Sequence, residues 1–330
     1  MLSRIAEALY WMGRYLERAD DTARLLDVYV HRMVVQVNDE RVGASLLAAM
    51  GLDPSELARI DDESDGPIDL WQATEMLAYD ADNPSSVVGS LRLARENARG
   101  LREILATEVW EALNRTYHEL DNHVRAARTL GPHLLFQWVR DRVALVGGLT
   151  DTVLLHDDGW RFLTIGRCLE RVDMTARLLG AVPATADASR WSGVLVSCGA
   201  NDAFLRTYGG DIDQAKVLSV LLLDPDFPRS VNYALAQAEQ CLDQVDVGSN
   251  AISSASAQLR RGVQPRVSDA AREVGRIRSE LAYTDPVALA MDLPATMARL
   301  QASCAHASEL VTQRYFQRVA FIEWKVDQFA

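Results

Sequence analysis

Apolar residues near the start of the chain recur in alternating steps of four and three: Ile5, Leu9, Met12, Leu16, Ala19, Ala23, Leu26 and Val30. That spacing puts them on one side of a cylinder with 3.6 residues per turn. It predicts a long amphipathic helix, with Ser3 placed to cap its N-terminus. The helical period continues almost throughout, and period-two alternation bounded by turn residues is hard to find. Predicted breaks are short and rich in Gly, Pro, Asn and Asp. They fall at Asn38-Asp39, Gly51 to Pro54, Asp61 to Pro67, Asp82 to Pro84, Gly131-Pro132, Asp157 to Gly159, Gly209-Gly210, Asp224 to Pro228, Gly248 and Asp285-Pro286. No low-complexity stretch or long linker intervenes. The pattern predicts an all-α chain folded as a single compact helical bundle over residues 1–330.

The chain also repeats itself. Gly13 to Leu26 (GRYLERADDTARLL) returns as Gly166 to Leu179 (GRCLERVDMTARLL), with eleven of fourteen positions identical at an offset of 153. A second match, Asp80 to Val87 with Asp224 to Val231, lies at an offset of 144 and keeps two Asp, a Pro, a Ser and a Val. Each copy of the second match reads as a turn entering a helix, with Pro84 or Pro228 near the first turn. The two matches occur in the same order, which points to two pseudo-symmetric duplicated helical units, about residues 1–152 and 153–330. The helices downstream of these matches do not align.

Five of the repeated residues are charged, and ordinary helix surfaces have no need to keep such residues in step. Projected on a helix, Gly13, Glu17, Asp20 and Arg24 run beside the apolar stripe. Gly166, Glu170, Asp173 and Arg177 do the same in the second copy. Arg14, Arg18, Arg167 and Arg171 lie further round. One reading is structural: Glu17 pairs with Arg171 and Glu170 with Arg18, or each pairs within its own helix, and the ion pairs set register. The other is a site, in which two Glu-Arg-Asp rows converge on a cavity for a zwitterionic or carboxylate ligand. Arginine would grip a carboxylate with two parallel hydrogen bonds, and the acids would hold an amine or a metal.

Net charge is −12, which disfavours nucleic acid or an anionic membrane surface as partner, since both call for a basic field. Cys168, Cys198, Cys241 and Cys304 form no CxxC pair, so a reduced chain with core thiols is expected. No apolar run approaches a membrane span and no signal peptide is evident, so the expected location is the cytoplasm.

The stretch Leu2 to Ala19 (LSRIAEALYWMGRYLERA) resembles the opening of the alpha-E domain family. Similar landmarks are Ala94 to Arg99, Glu108 to Asn114, Gly147 to Asp151, Phe162 to Asp173, Leu223 to Val231 and Gly275 to Leu281. The resemblance implies an all-helical bacterial protein with a signature Glu-Arg motif, carried here by Glu17-Arg18 and Glu170-Arg171. It also implies association with, or fusion to, circularly permuted ATP-grasp ligase-like proteins, which join a carboxylate to an amine. A role in making, modifying or processing a peptide-like amide follows from that association, as does a peptide or amino-acid-like ligand.

Other constellations are weaker. His118 and His123 stand five apart and miss the four-residue spacing of a zinc helix, and no Glu-x-x-His of a di-iron bundle occurs. Asp157-Asp158 and Asp224-x-Asp226 read as turn and capping acids rather than a cation site. Without a phosphate loop or nucleophile elbow, no cofactor or metal is expected in this chain. Glu96, Asn97, Glu108, Glu111, Asn114, Arg276 and Glu280 are secondary candidates for completing a polar cavity. The aromatic run Tyr315 to Trp324 suits core packing or docking. Three functional readings follow: a binding component that holds a substrate or docks the ligase, an enzyme using the paired Glu-Arg motifs for acid/base chemistry, and a structural pseudo-dimer.

Overall fold

The computed structural model describes residues 3–35, 42–52, 68–183, 185–257 and 267–316. Among these residues every regular element is helical. Helix α1 (Ser3–Val35) carries the apolar seam, and Leu9, Met12, Leu16, Ala19, Ala23, Leu26 and Val30 are all buried. It is followed by α2 (Val42–Ala49) and α3 (Leu70–Thr74), the latter running on into a π turn at Glu75–Tyr79. Next come α4 (Val87–Arg99), α5 (Thr107–Leu130), α6 (His133–Val153) and α7 (Asp158–Gly180). Then follow α8 (Ala188–Ser197), α9 (Asn201–Tyr208) and α10 (Gln214–Leu218), with a π turn at Ser219–Leu223. The last are α11 (Val231–Ala257), α12 (Asp269–Ala282), α13 (Pro286–Met291) and α14 (Leu293–Val311), which ends in a π turn at Thr312–Phe316.

Helices α1 and α7 form the centre. Helices α4, α6 and α8 pack on α1, and α11 and α14 pack on α7. The crossing is close because each helix presents a glycine to the other's backbone. A Cβ on Gly13 would stand 2.2 Å from the Leu163 carbonyl oxygen, and one on Gly166 would stand 2.1 Å from that of Tyr10. The buried Tyr10 hydroxyl hydrogen-bonds Ser308 of α14 at 2.7 Å, and its ring meets that of Phe316.

The short acidic turns are caps. Asp157 accepts from the Gly159 and Trp160 amides at the head of α7, and Asp224 accepts from Asp226 and Phe227. Gly248, expected to break the chain, instead lies inside α11. A lone glycine costs a helix about 1 kcal/mol, which a helix of 27 residues absorbs. The expected breaks at Asn38-Asp39 and Asp61 to Pro67, and the aromatic run from Gln317 onward, lie outside the described residues. Among the described residues no helix is long and apolar enough to cross a membrane.

Candidate functional site

The two charged rows meet across the α1–α7 crossing. Glu170, 1% exposed, accepts from Arg14 Nε and Arg18 Nε, each at 2.5 Å. On the other side Glu17 is gripped by Arg171 through Nε at 2.6 Å and Nη2 at 2.8 Å. Each Glu therefore takes its arginine from the opposite helix. The same arginines reach past the carboxylates to the proline turns: Arg18 Nη1 donates to the Pro84 carbonyl at 3.3 Å and Arg171 Nη1 to that of Pro228 at 2.8 Å. The second half of each row stays within its helix. Arg24 Nε donates to Asp20 and Arg177 Nε to Asp173, both at 2.8 Å.

Those turns are built alike. Ser86 donates its hydroxyl to the Asp80 carbonyl, and Ser230 does the same to Asp224. Gly51 and Gly199 both adopt positive φ, at +74° and +64°, which glycine tolerates and side-chain residues resist. A Cβ on Gly51 would overlap the Arg177 guanidinium, and one on Gly199 would lie 3.1 Å from that of Arg24.

The two sides then diverge. Around Glu17 a further arginine enters from the turn before α11. Arg229 Nη1 lies 3.0 Å from Asp20 and 3.7 Å from Glu17, Nη2 pairs with Asp21, and Nε donates to the Cys198 carbonyl at 2.9 Å. Arg167, the repeat counterpart of Arg14, turns to Asp151 at 3.4 Å. Neither Asp21 nor Arg229 is singled out by the sequence as a site residue. At the matched positions the chain has Met174 and Ser85, so identity between copies passes over them.

Burial alone would raise the Glu17 carboxyl, but the guanidiniums of Arg171 and Arg229 overcome it and hold the group down to about 2. Glu170 is lowered too, its burial outweighed by Arg14 and Arg18. Two glutamates held this firmly as carboxylates have no proton to give near neutral pH. Asp21 behaves oppositely. Burial pushes it up to about 7, with Arg229 opposing and the Glu17 and Asp20 charges adding to the rise. Asp20 Oδ1 is buried without a hydrogen-bond partner. The neighbouring cavity, lined by Asp21, Met174, Thr175, Cys198 and Arg229, has a volume of about 20 Å³, room for about one water. The Glu17, Asp20 and Asp21 oxygens lie within 4.8 Å of one another, but Arg24, Arg171 and Arg229 already neutralise them. A cation would have to displace guanidinium there.

The secondary candidates stay apart from this crossing. Arg95 of α4 pairs with Glu96 and reaches Asn114 of α5 at 3.3 Å. Asn97 donates to the Leu93 carbonyl of its own helix, and Glu108 and Glu111 are exposed on α5. Arg276 pairs with Glu273 and Glu280 on the exposed side of α12. All four cysteines are free and buried, and burial pushes the Cys198 and Cys241 thiols up to about 12, far from a reactive thiolate.

A paired Glu-Arg core in an all-helical chain agrees with a family model that matches residues 1–316, described as a predicted alpha-helical domain with a conserved ER motif. The chain belongs to the Alpha-E family. Similar relatives are an uncharacterized protein of Mycobacterium bovis and two of Mycobacterium tuberculosis. Each is 26% identical over 309 residues, covering 84% of this chain and 34% of theirs. The chain thus spans about a third of the length of these relatives. No solved structure matches it. In this Alpha-E chain the ER motif is a pair of buried ion clusters rather than a row of free charges.

Proposed function

We propose that this Alpha-E chain is a binding module that docks a larger enzyme, and that its Glu-Arg motifs lock α1 to α7 in register. The observation behind this reading is the saturation of both glutamates. Each is buried, held ionised and claimed by two arginines, and the adjoining cavity admits no more than about one water. A peptide or amino-acid-like ligand would have to break these pairs to be held by them. The docking partner is the ATP-grasp ligase-like protein that the family resemblance implies, so this chain serves as an accessory component of amide-bond formation or modification. The curated relatives carry this region as about a third of a longer chain, an arrangement that suits a module working beside another.

We also read residues 1–152 and 153–330 as duplicated units within one domain. The paired glycine contacts, the arginine reach to each proline turn and the matched π turns support that reading.

The test is gel filtration and calorimetry of the chain with an ATP-grasp ligase-like protein of the class that the resemblance implies. A stoichiometric complex is expected. Absence of any complex overturns the docking reading. One observation favours a second reading: Asp21, a carboxyl poised near neutrality beside Arg229, has the character of a general acid or base. Turnover of a peptide-like substrate by the purified chain, lost in Asp21→Asn, is the result that establishes it.

A further inference from the structure

About two turns past Asp20 on α1, Asp27 and His31 face His133, the first residue of α6. One ligating atom from each lies within 4.8 Å of the others. His133 Nδ1 is 2.6 Å from Asp27 Oδ1, and His31 Nδ1 is 3.3 Å from the same oxygen. The imidazoles meet edge to face, with centroids 4.8 Å apart. Asp27 is 9% exposed, while the His31 and His133 side chains are 60% and 47% exposed. Two helices thus fix a buried carboxylate beneath two accessible imidazoles, at the edge of a hollow walled by Ser192, Gly193 and Val196 of α8.

We propose that Asp27, His31 and His133 form a binding site for a divalent transition metal, with zinc the ion that best suits the donors. Two imidazole nitrogens and one carboxylate oxygen suit zinc. Calcium and magnesium demand more oxygens, and copper(I) wants sulfur. Zinc with bonds of about 2.0–2.2 Å in tetrahedral geometry sets neighbouring ligands about 3.3 Å apart. The His31 separation already matches, and the His133 separation has to widen from 2.6 Å, a small turn of an exposed side chain. His31 Nδ1 now lies 2.8 Å from the Asp27 carbonyl oxygen, so coordination replaces that hydrogen bond. Arg140 Nη1 approaches the other carboxylate oxygen, Oδ2, at 3.6 Å and leaves Oδ1 to the metal. Three protein ligands leave a fourth position facing the hollow.

The test uses the full chain without a histidine tag. Calorimetry with Zn²⁺ is expected to show one site per chain. Co²⁺ is expected to give the intense visible bands of a tetrahedral centre, bleached when Zn²⁺ displaces it. His31→Ala and His133→Ala should each weaken Zn²⁺ binding by about 100-fold or more, since outer-shell partners alone are worth about 10–100-fold. His133→Ala also takes a hydrogen-bond partner from the buried Asp27 carboxylate, so a cooperative melt of each metal-free variant, showing it folded at the titration temperature, separates lost ligation from lost fold. Zn²⁺ uptake that persists in the His31→Ala/His133→Ala double variant overturns the proposal. So does an absence of uptake by the parent chain at micromolar Zn²⁺.

Discussion

Replacing Glu170 with Gln keeps the shape of the side chain and removes the charge that Arg14 and Arg18 share. Both guanidiniums donate to it at 2.5 Å, and the carboxylate is 1% exposed. Taking one partner from a buried ion pair costs about 3–5 kcal/mol, because the charge left behind stays out of water. Two features place this variant at the lower end. Arg14 keeps contacts to the Ser308 and Tyr10 hydroxyls, and Arg18 keeps the Pro84 carbonyl. Their side chains are also 13% and 16% exposed, so water reaches them in part. The expected loss is about 3 kcal/mol. For a chain of 330 residues each kcal/mol moves Tm by about 1.4 °C, giving a fall of about 4 °C.

Thermal melting at neutral pH checks this, repeated at raised salt, which screens a buried pair little. The companion variant, Arg14→Met/Arg18→Met/Glu170→Leu, removes all three charges. Apolar replacement of a whole buried ion cluster is often neutral or stabilising, so this triple variant should melt well above Glu170→Gln. A Glu170→Gln melt within about 1 °C of the parent refutes the reasoning, because the guanidiniums would then be solvated rather than stranded. A triple variant as unstable as the single one also refutes it, by showing that the charges do more than cancel one another.

Glu17, held down to about 2, contributes stability that is present above the ordinary carboxylate range near pH 4.5 and is lost as pH falls towards 2. Urea unfolding across that window should show a loss of about 3 kcal/mol, absent in Glu17→Gln. Asp21 has the opposite sign: raised to about 7, it takes up a proton on folding, so stability falls as pH rises from about 4 through 7. Melting between pH 5 and 8 should show that decline, and Asp21→Asn should flatten it. Gly166→Ala sets a Cβ 2.1 Å from the Tyr10 carbonyl oxygen, so the α1–α7 crossing must spread. A net loss of about 1–2 kcal/mol in chemical denaturation is expected, overpacking outweighing the gain of about 1 kcal/mol in helix propensity.

The parts legible in the sequence are those with a local period or an internal copy. The seam from Leu9 to Val30 is visible because burial of one helix face imposes the 3.6 spacing. Glu17 and Glu170 stand out because the chain states them twice. Their partners are harder to read, since the exchange of arginines between α1 and α7 is a tertiary choice that sequence leaves open between several pairings. Arg229 and Asp21 escape because their matched positions hold Ser85 and Met174, and a filter for identity discards them. Gly248 misleads because turn chemistry is a local preference that a long packed helix overrides. His133 lies 106 residues from Asp27, so no spacing rule pairs them.

The contrast between the two clusters bears on where function resides. On the proposed duplication, residues kept in both halves serve what both halves need, which is the crossing itself. Gly13 and Gly166 admit the backbones, Glu17 and Glu170 take arginine from across, and Arg18 and Arg171 carry each tie on to its proline turn. A specialised role has no reason to be stated twice. It is better sought where the copies differ: in Asp21 and Arg229 against Met174 and Ser85, and in Asp27 and His31, beyond the end of the repeated stretch. The repetition that makes the Glu-Arg motif conspicuous therefore argues for its role in the fold, and the unrepeated charges beside it are the place to look for chemistry.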